Sequence, residues 1–486
     1  MPMLNVNLII KWDGANWDDE SEYLTSASGT FSLRAPGDFL VAGSGNVDQA
    51  IINLASINGR YVSYLDNFEF YQKHVRLEVS LDNGDFMRVF SGAIDHVDLS
   101  APNATNVSML TLYCVTQEGP YLQRKFNLPM DTFRELASSP VTETEWFNIL
   151  YNGASVPNPL TRVFDPGLVT IPWLWADDES ALEECWAAAA ACGGVFYSNL
   201  LGHSVYRNAS WVAKNISDIK EVFARDPTGA EVTYTSAEID YNQDNLYADV
   251  TVEVSSRQIN EPELVWSPED YERLIVPAEG ELRVVATYDD PVYQILSFDW
   301  EATTEMGTPF NPAELSVVRT DYAQKSELVF TNTHDYEPAL IRYFRITGQP
   351  VTGRTTFEFK ASSTEAYWND KDRRTRSVRG NVYIQTPAQG QFVADIVLAE
   401  SELPRPVIRL NGVPGKQTRF IGDTVQIRDP KMRTAVITGQ IIDLGWQIGT
   451  TYQHTITVHD YGSVYSDAPY FTLNTDTVGG ARKIFY

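Results

Sequence analysis

The 486-residue chain has few thiols, few imidazoles and few cations. Its three cysteines, Cys114, Cys185 and Cys192, form no CxxC pair, which excludes a disulfide scaffold and a structural zinc ribbon. Lys and Arg total 37 against 64 Asp and Glu, a formal net charge of −27. That balance excludes a protein held on nucleic acid by clustered cations. The longest apolar run, Cys185 to Cys192, is far shorter than the roughly 20 residues that span a bilayer. The opening MPMLNVNLIIKWDG has neither a basic leader nor a small-residue cleavage site, so no signal peptide is expected. A chain made in a reducing compartment, without a membrane-spanning segment, is the expectation. GxSxG, P-loop, HExxH and GxGxxG patterns are also missing from strand-to-helix settings. No catalytic residue, metal ligand or cofactor site is therefore nominated.

What is present is β-type patterning. Gly (30) and Pro (25) stand near average, which is neither fibrous nor low-complexity usage, and apolar residues make up 43 %, enough for several cores. Val75, Leu77, Val79 and Leu81 alternate on one face, Asp82-Asn-Gly84 turns the chain, and Phe86 to Phe90 returns. This predicts a hairpin with Asn and Gly in the positive-φ positions. Further strands are expected at 108–115, 248–254, 282–288, 327–331, 355–359, 424–428, 435–444 and 452–460. Helices are expected over Ala181 to Cys192, led by acidic residues and closed by Gly193-Gly194, and over Ala388 to Glu402, stopped by Pro404 and Pro406. A third runs from Glu143 to Tyr151. Gly194 to Arg207 reads as strand, tight turn, strand, which makes a small α+β unit in a mainly β, multi-domain chain.

Several segments invite a chemical reading. Asp13 to Glu20 carries oxygen ligands but lacks the spacing of a calcium loop, so it reads as an acidic turn. His454 and His459 are five residues apart on one expected strand and point to opposite faces. With His74, His96, His203 and His334 they read as surface or edge histidines. Cys185 and Cys192 lie two helical turns apart, about 10 Å, too far for a disulfide, and read as small core residues. Lys371, Arg373, Arg374, Arg376 and Arg379 interleave with Asp370 and Asp372, which suggests a solvated loop or an ion-pair patch facing a partner. Pairs such as Asp289-Asp290 read as solvated charge.

Taken in order, a series of motifs resembles the tail hub proteins, or minor tail proteins, of long-tailed viruses of prokaryotes. The likeness runs through Trp12-Asp-Gly14 with Asp18-Asp19, the Ser26 to Leu33 strand, Gly43-Ser-Gly45 and Asn58-Gly-Arg-Tyr61. It continues through Val75 to Val79 with Val89 to Asp95, the Leu182 to Arg207 unit, and Val265-Trp266 with Pro277 to Gly280 and Ala286 to Tyr288. Phe330 to Thr333, Ile346 to Pro350, Ile421-Gly-Asp-Thr-Val425 and Gly439 to Trp446 complete it. The resemblance implies two tail-tube-like β-barrel domains plus smaller attached ones. It divides the chain into an N-terminal tube-like hub domain (1–125), a small α+β domain (126–237), a middle β-sandwich-like domain (238–365) and a second barrel-type hub domain (366–486). It further implies a non-enzymatic homotrimer at the virion's tail tip, made in the host cytoplasm. That trimer would meet a distal tail or tube ring, the tape measure protein and tip or fibre proteins. Viral DNA would pass without specific binding, and the −27 charge would keep it from sticking. The alternative expectation is a host-surface carbohydrate-binding or carbohydrate-cleaving tail protein, with the 11 Trp and 25 Tyr as stacking platforms.

Overall fold

Alternating apolar residues lay down strands from the start of the chain. The computed structural model describes residues 3–33, 48–67, 69–100, 107–116, 124–154, 162–211, 218–241, 246–269, 274–432 and 436–460. The Gly43-Ser-Gly45 motif lies outside them. The first part comprises β1 (Leu4–Ile10), β2 (Asp18–Asp19), β3 (Leu24–Ser32), β4 (Gln49–Ile57), the short helix α1 (Val62–Asp66), β5 (His74–Leu81), β6 (Met87–Ser100) and β7 (Val107–Thr116). Leu77 opposes Phe90 in the expected β5–β6 hairpin. Its turn differs from expectation: Asp82 (φ 53°) and Asn83 (φ 59°) take the left-handed positions. Short polar side chains tolerate that region, so Gly84 is not needed there.

The next part is mixed. It holds β8 (Lys125–Asn127), α2 (Met130–Ser138), β9 (Val141–Thr142), α3 (Glu143–Gly153), β10 (Arg162–Phe164), β11 (Thr170–Ile171), β12 (Asp177–Ser180), α4 (Ala181–Ala191), β13 (Val195–Ser198) and β14 (Ser204–Arg207). The Ser180 side chain caps α4 by accepting from Glu183 N, and Gly193 (φ 62°) ends it. Helix α2 was not among the expected elements. It starts after Pro129 with no side-chain cap and is held by burial of Met130, Phe133 and Leu136.

Strands β15 (Ile219–Ala224) and β16 (Ser236–Asp240) lead to β17 (Asp249–Ile259), β18 (Glu263–Trp266), β19 (Ile275–Val276), β20 (Glu281–Thr287), β21 (Val292–Thr303), β22 (Leu315–Asp321), β23 (Lys325–Asn332) and β24 (Ala339–Ser362). The last elements are β25 (Thr375–Val378), α5 (Pro387–Ser401), β26 (Val407–Pro414), β27 (Thr424–Arg428), β28 (Ile437–Ile448) and β29 (Tyr452–Asp460).

The protein is mainly β and built from several sheets. The largest has 13 strands, ordered β16-β26-β29-β28-β3-β4-β7-β6-β5-β1-β2, with β27 bridging β15 and β28. Strands from the two ends of the chain thus share one sheet, joined where β3 pairs antiparallel with β28 from Ser32–Asp443 to Ala27–Ile448. One apolar core runs beneath it, taking in Ile52, Leu77, Phe90 and Leu112 as well as Ile408, Val425, Ile441 and Ile456. A second core packs α3, α4 and α5 against Val250, Val252 and Val254 of β17. In a third, the sheet β20-β23-β22 faces β18-β24-β21 over Phe330, Phe344 and Ile346. The 24-residue β24 belongs to both neighbours: its first half pairs with β18, β19 and β21, its second with β17. The strand expected at 355–359 is part of it. Among the described residues no helix is long and apolar enough to cross a membrane.

Candidate functional site

Four centres among the described residues gather several buried polar groups around a carboxylate. The turn after β4, with Asn58 (φ 53°) and Gly59 (φ 72°) left-handed, carries Arg60 and Tyr61 to buried Glu20. That carboxylate accepts from Trp12 Nε1 (2.9 Å), Tyr61 Oη (2.7 Å) and Arg60 Nη2 (3.2 Å). Burial, then the Glu20 hydrogen bond, pushes the Tyr61 phenol up. Glu143, fully buried in the first turn of α3, accepts from the N–H groups of Leu168 (2.8 Å) and Val169 (3.0 Å) and from Tyr206 Oη (3.0 Å). Burial raises its pKa, and those donors oppose the rise.

Asp429 follows β27. Arg225 Nε donates to both its oxygens at 3.0 Å, and Tyr234 Oη donates at 2.6 Å. Burial alone would raise this carboxyl, yet Arg225 and Tyr234 bring it down to about 2. In the fourth centre Arg419 donates from Nε to Glu221 (2.7 Å) and from Nη1 to His454 Nδ1 (2.7 Å), and His454 Nε2 lies 2.8 Å from Tyr452 Oη. Burial, then the Arg419 charge, holds His454 well below the usual imidazole range. A neutral ring that accepts at Nδ1 carries its proton on Nε2, so His454 donates to Tyr452. In each centre several donors already engage the carboxylate. These groups fasten separate elements together.

The segments singled out from sequence resolve as follows. Asp13 Oδ1 accepts from Ala15 N (2.8 Å) and Asn16 N (2.7 Å), and Oδ2 from Asn16 Nδ2 (2.8 Å), so the acidic loop is an Asx turn closed on itself. All three cysteines are buried. The expectation of surface or edge histidines is wrong for two of the six. His454 and His459 are both buried, because β29 is an interior strand paired with β26 and β28. The basic cluster pairs within its own chain: Arg373 Nη2 binds Asp249 Oδ1 (3.1 Å) and Arg379 binds Glu358 (3.2 Å). The Arg373 hydrogen bond is the main reason Asp249 falls to about 2. Sequence reading missed Glu20, Glu143, Glu221 and Asp429 as buried acids. The Trp12 and Asn58 to Tyr61 motifs lead to Glu20, and the Leu182 to Arg207 unit holds Tyr206, a donor to Glu143.

What the fold leaves open is a surface. On the outer face of β3, β4, β7 and β6 the rows are Ser28–Ile51–Tyr113–His96, Ser26–Asn53–Thr111–Asp98, Ala55–Met109–Ser100 and Ile57–Val107. Ile51, Ile57, Val107 and Met109 are exposed there. Asn53 ties the middle row, donating to Ser26 Oγ (3.0 Å) and accepting from Thr111 Oγ1 (2.9 Å). His96 stacks on Tyr113 at 4.1 Å. One carboxylate, Asp98, stands in these rows of a chain with 64. A flat face of Ser, Thr, Asn and aliphatic side chains suits contact with protein, not chemistry.

The fold is that of a known tail protein. A tail protein from Neisseria meningitidis matches with a TM-score of 0.51 and 11 % identity over 96 % of this chain and 98 % of that one. The 43 kDa tail protein of prophage MuSo2 from Shewanella oneidensis matches at 0.48 and 11 % over 94 % and 98 %. An E. coli type VI secretion system component, described as structurally similar to bacteriophage tail proteins, matches at 0.42 and 6 % over 95 % and 77 %. No family model matches the chain and no curated protein matches its sequence.

Proposed function

We propose that the chain is a structural component of a virus tail, acting by shape and association and not as an enzyme. The observation that carries this reading is the end-to-end match of fold with the Neisseria tail protein. Its finer form places the protein at the tail tip as a homotrimeric hub that closes the tube and opens for DNA. Its neighbours would be a distal tail or tube ring, the tape measure protein and tip or fibre proteins. In this reading the parts 1–125 and 366–486 are the two tube-like units, with 126–237 and 238–365 attached to them. The β3–β28 ladder supports it, since it sets strands of the first and last parts side by side in one sheet. The face of β3, β4, β7 and β6, with Asp98 as the one carboxylate in its rows, is then a subunit contact, and the −27 charge keeps DNA from adhering.

Light scattering coupled to size exclusion tests the trimer. A mass three times 54.6 kDa is expected, together with no retention of duplex DNA even at low salt. A chain that stays monomeric at every concentration, or one that binds DNA, overturns the hub reading.

A further inference from the structure

On β1, β5 and β6 the outer sheet face reverses the sign of the chain. Its rows are Lys11–His74–Ala93, Ile9–Arg76–Ser91 and Asn7–Glu78–Arg88. Trp17 stands beside them, just before β2, with Lys11 Nζ 5.0 Å and the Arg76 guanidinium 4.3 Å from its ring centroid. The turn from Asn199 to His203 walls the β6 side. Its Leu201 carbonyl accepts from Arg88 Nη1 (2.9 Å), and a Cβ on Gly202 would fall 2.9 Å from Ser91 Cβ. Lys11, Arg76 and Arg88 thus gather with His74 and His203 in a chain whose Asp and Glu outnumber Lys and Arg 64 to 37.

The carboxylates in these rows are Glu78 and, opposite Ile9, Asp19. Both are engaged locally: Glu78 accepts from Asn7 Nδ2 (3.0 Å) and Asp19 from Ser21 N (2.9 Å). Among the described residues Lys11, Arg76 and Arg88 make no ion pair, and Nε of Arg76 and of Arg88 is buried without a hydrogen-bond partner. The cations press on one another. Burial, then the Arg88 charge, pulls the Arg76 guanidinium below its ordinary value, with Glu78 opposing. Burial, then Lys11 and Arg76, does the same to His74. Partly buried cations without a counter-charge cost stability, and an arriving carboxylate offsets that cost.

The chain itself is rich in such carboxylates. Residues 238–365 hold 24 Asp and Glu against 9 Lys and Arg, and Asp299, Glu301 and Glu305 are among the exposed ones. The cationic face is also continuous with the rows of β3, β4, β7 and β6: Ala93 pairs with Val115, and Val115 with Gln49. A closed ring of one chain joins two different patches of each subunit, so a basic patch on one part complements an acidic surface on another. We propose, resting on the homotrimer reading, that Lys11, Trp17, Arg76 and Arg88 form a docking site for the acidic surface of residues 238–365 of a second copy.

Sedimentation velocity of the full chain over a range of concentrations tests this. Arg76→Glu should weaken self-association about tenfold or more and Lys11→Gln by less, with added salt narrowing the gap to the parent. A circular-dichroism melt like the parent's establishes that each variant is folded. In the otherwise unaltered chain, a photo-crosslinking residue in place of Ile9, which shares the Arg76 row, should give adducts between chains into residues 238–365. Unchanged association of folded Arg76→Glu overturns the docking site and leaves the homotrimer reading standing. So do adducts confined to one chain or to other parts of the second. A parent chain that stays monomeric at every concentration overturns both.

Discussion

Asp423 and His454 lie near each other in the fold through Glu221, and their protonation pulls stability in opposite directions. Asp423 sits in the Ile421 to Val425 turn, where Gly422 (φ 86°) has no room for a Cβ, which would fall 2.3 Å from the Trp211 ring. Burial raises the Asp423 carboxyl to about 6, against a hydrogen bond from Phe420 N (2.8 Å) and the charges of Lys220 and Lys416; Glu221 adds to the rise. A carboxyl whose folded pKa exceeds its unfolded value favours the fold when protonated, so this contribution is full below about pH 4 and is lost as pH rises through about 6. His454, held below its ordinary value, contributes fully above pH 6.5 and loses that contribution as pH falls. Asp423→Asn keeps an acceptor for Phe420 N and removes the charge. It should stabilise the protein by about 1–2 kcal/mol at pH 7.5 and by nothing at pH 4, read as the difference in thermal midpoint from the parent at each pH. Equal midpoints at both values would remove burial as the cause.

At the level of elements, α5 is the one whose stability is most directly assigned to named groups. Thr386 accepts from Gln389 N (3.2 Å), and the Gln389 side chain accepts in turn from Thr386 N (3.1 Å), with Pro387 opening the helix. Thr386→Ala should cost about 1 kcal/mol, seen as a lower urea midpoint with an unchanged slope. This helix, α4 and the β5–β6 hairpin were legible in sequence because their signals are local: a cap, a stop, a turn between alternating runs. Helix α2 was not, since Pro129 gives no capping side chain and nine residues offer little periodicity. Nor was the pairing of β3 with β28. Alternation at Ala27, Phe31, Leu444 and Trp446 says that each strand has a buried face but never names its partner. The buried acids were illegible for the same reason: Glu20, Glu143 and Asp429 differ from the other carboxylates only in the donors that folding brings to them.

For the whole molecule, the chief fact is that one core takes side chains from both ends of the chain. The edge of β3 stays open until β28 has formed, and long-range pairing of this kind is slow and exposed to association. A fragment ending at residue 430 should therefore aggregate or oligomerise through β3, while the full chain remains soluble. Sedimentation of both at equal concentration checks this, and a soluble, monomeric fragment would count against it. A mechanical consequence follows from β24. Its 24 residues, ~80 Å at ~3.3 Å each, are a single rod held by different sheets along its two halves. Load applied along that rod reaches the β17 ladder in shear, where its hydrogen bonds, which lie across the strand, resist together instead of opening one after another. Tension on the sandwich is thereby passed to the helical core along one continuous strand, whose only breaks in pairing are local register shifts.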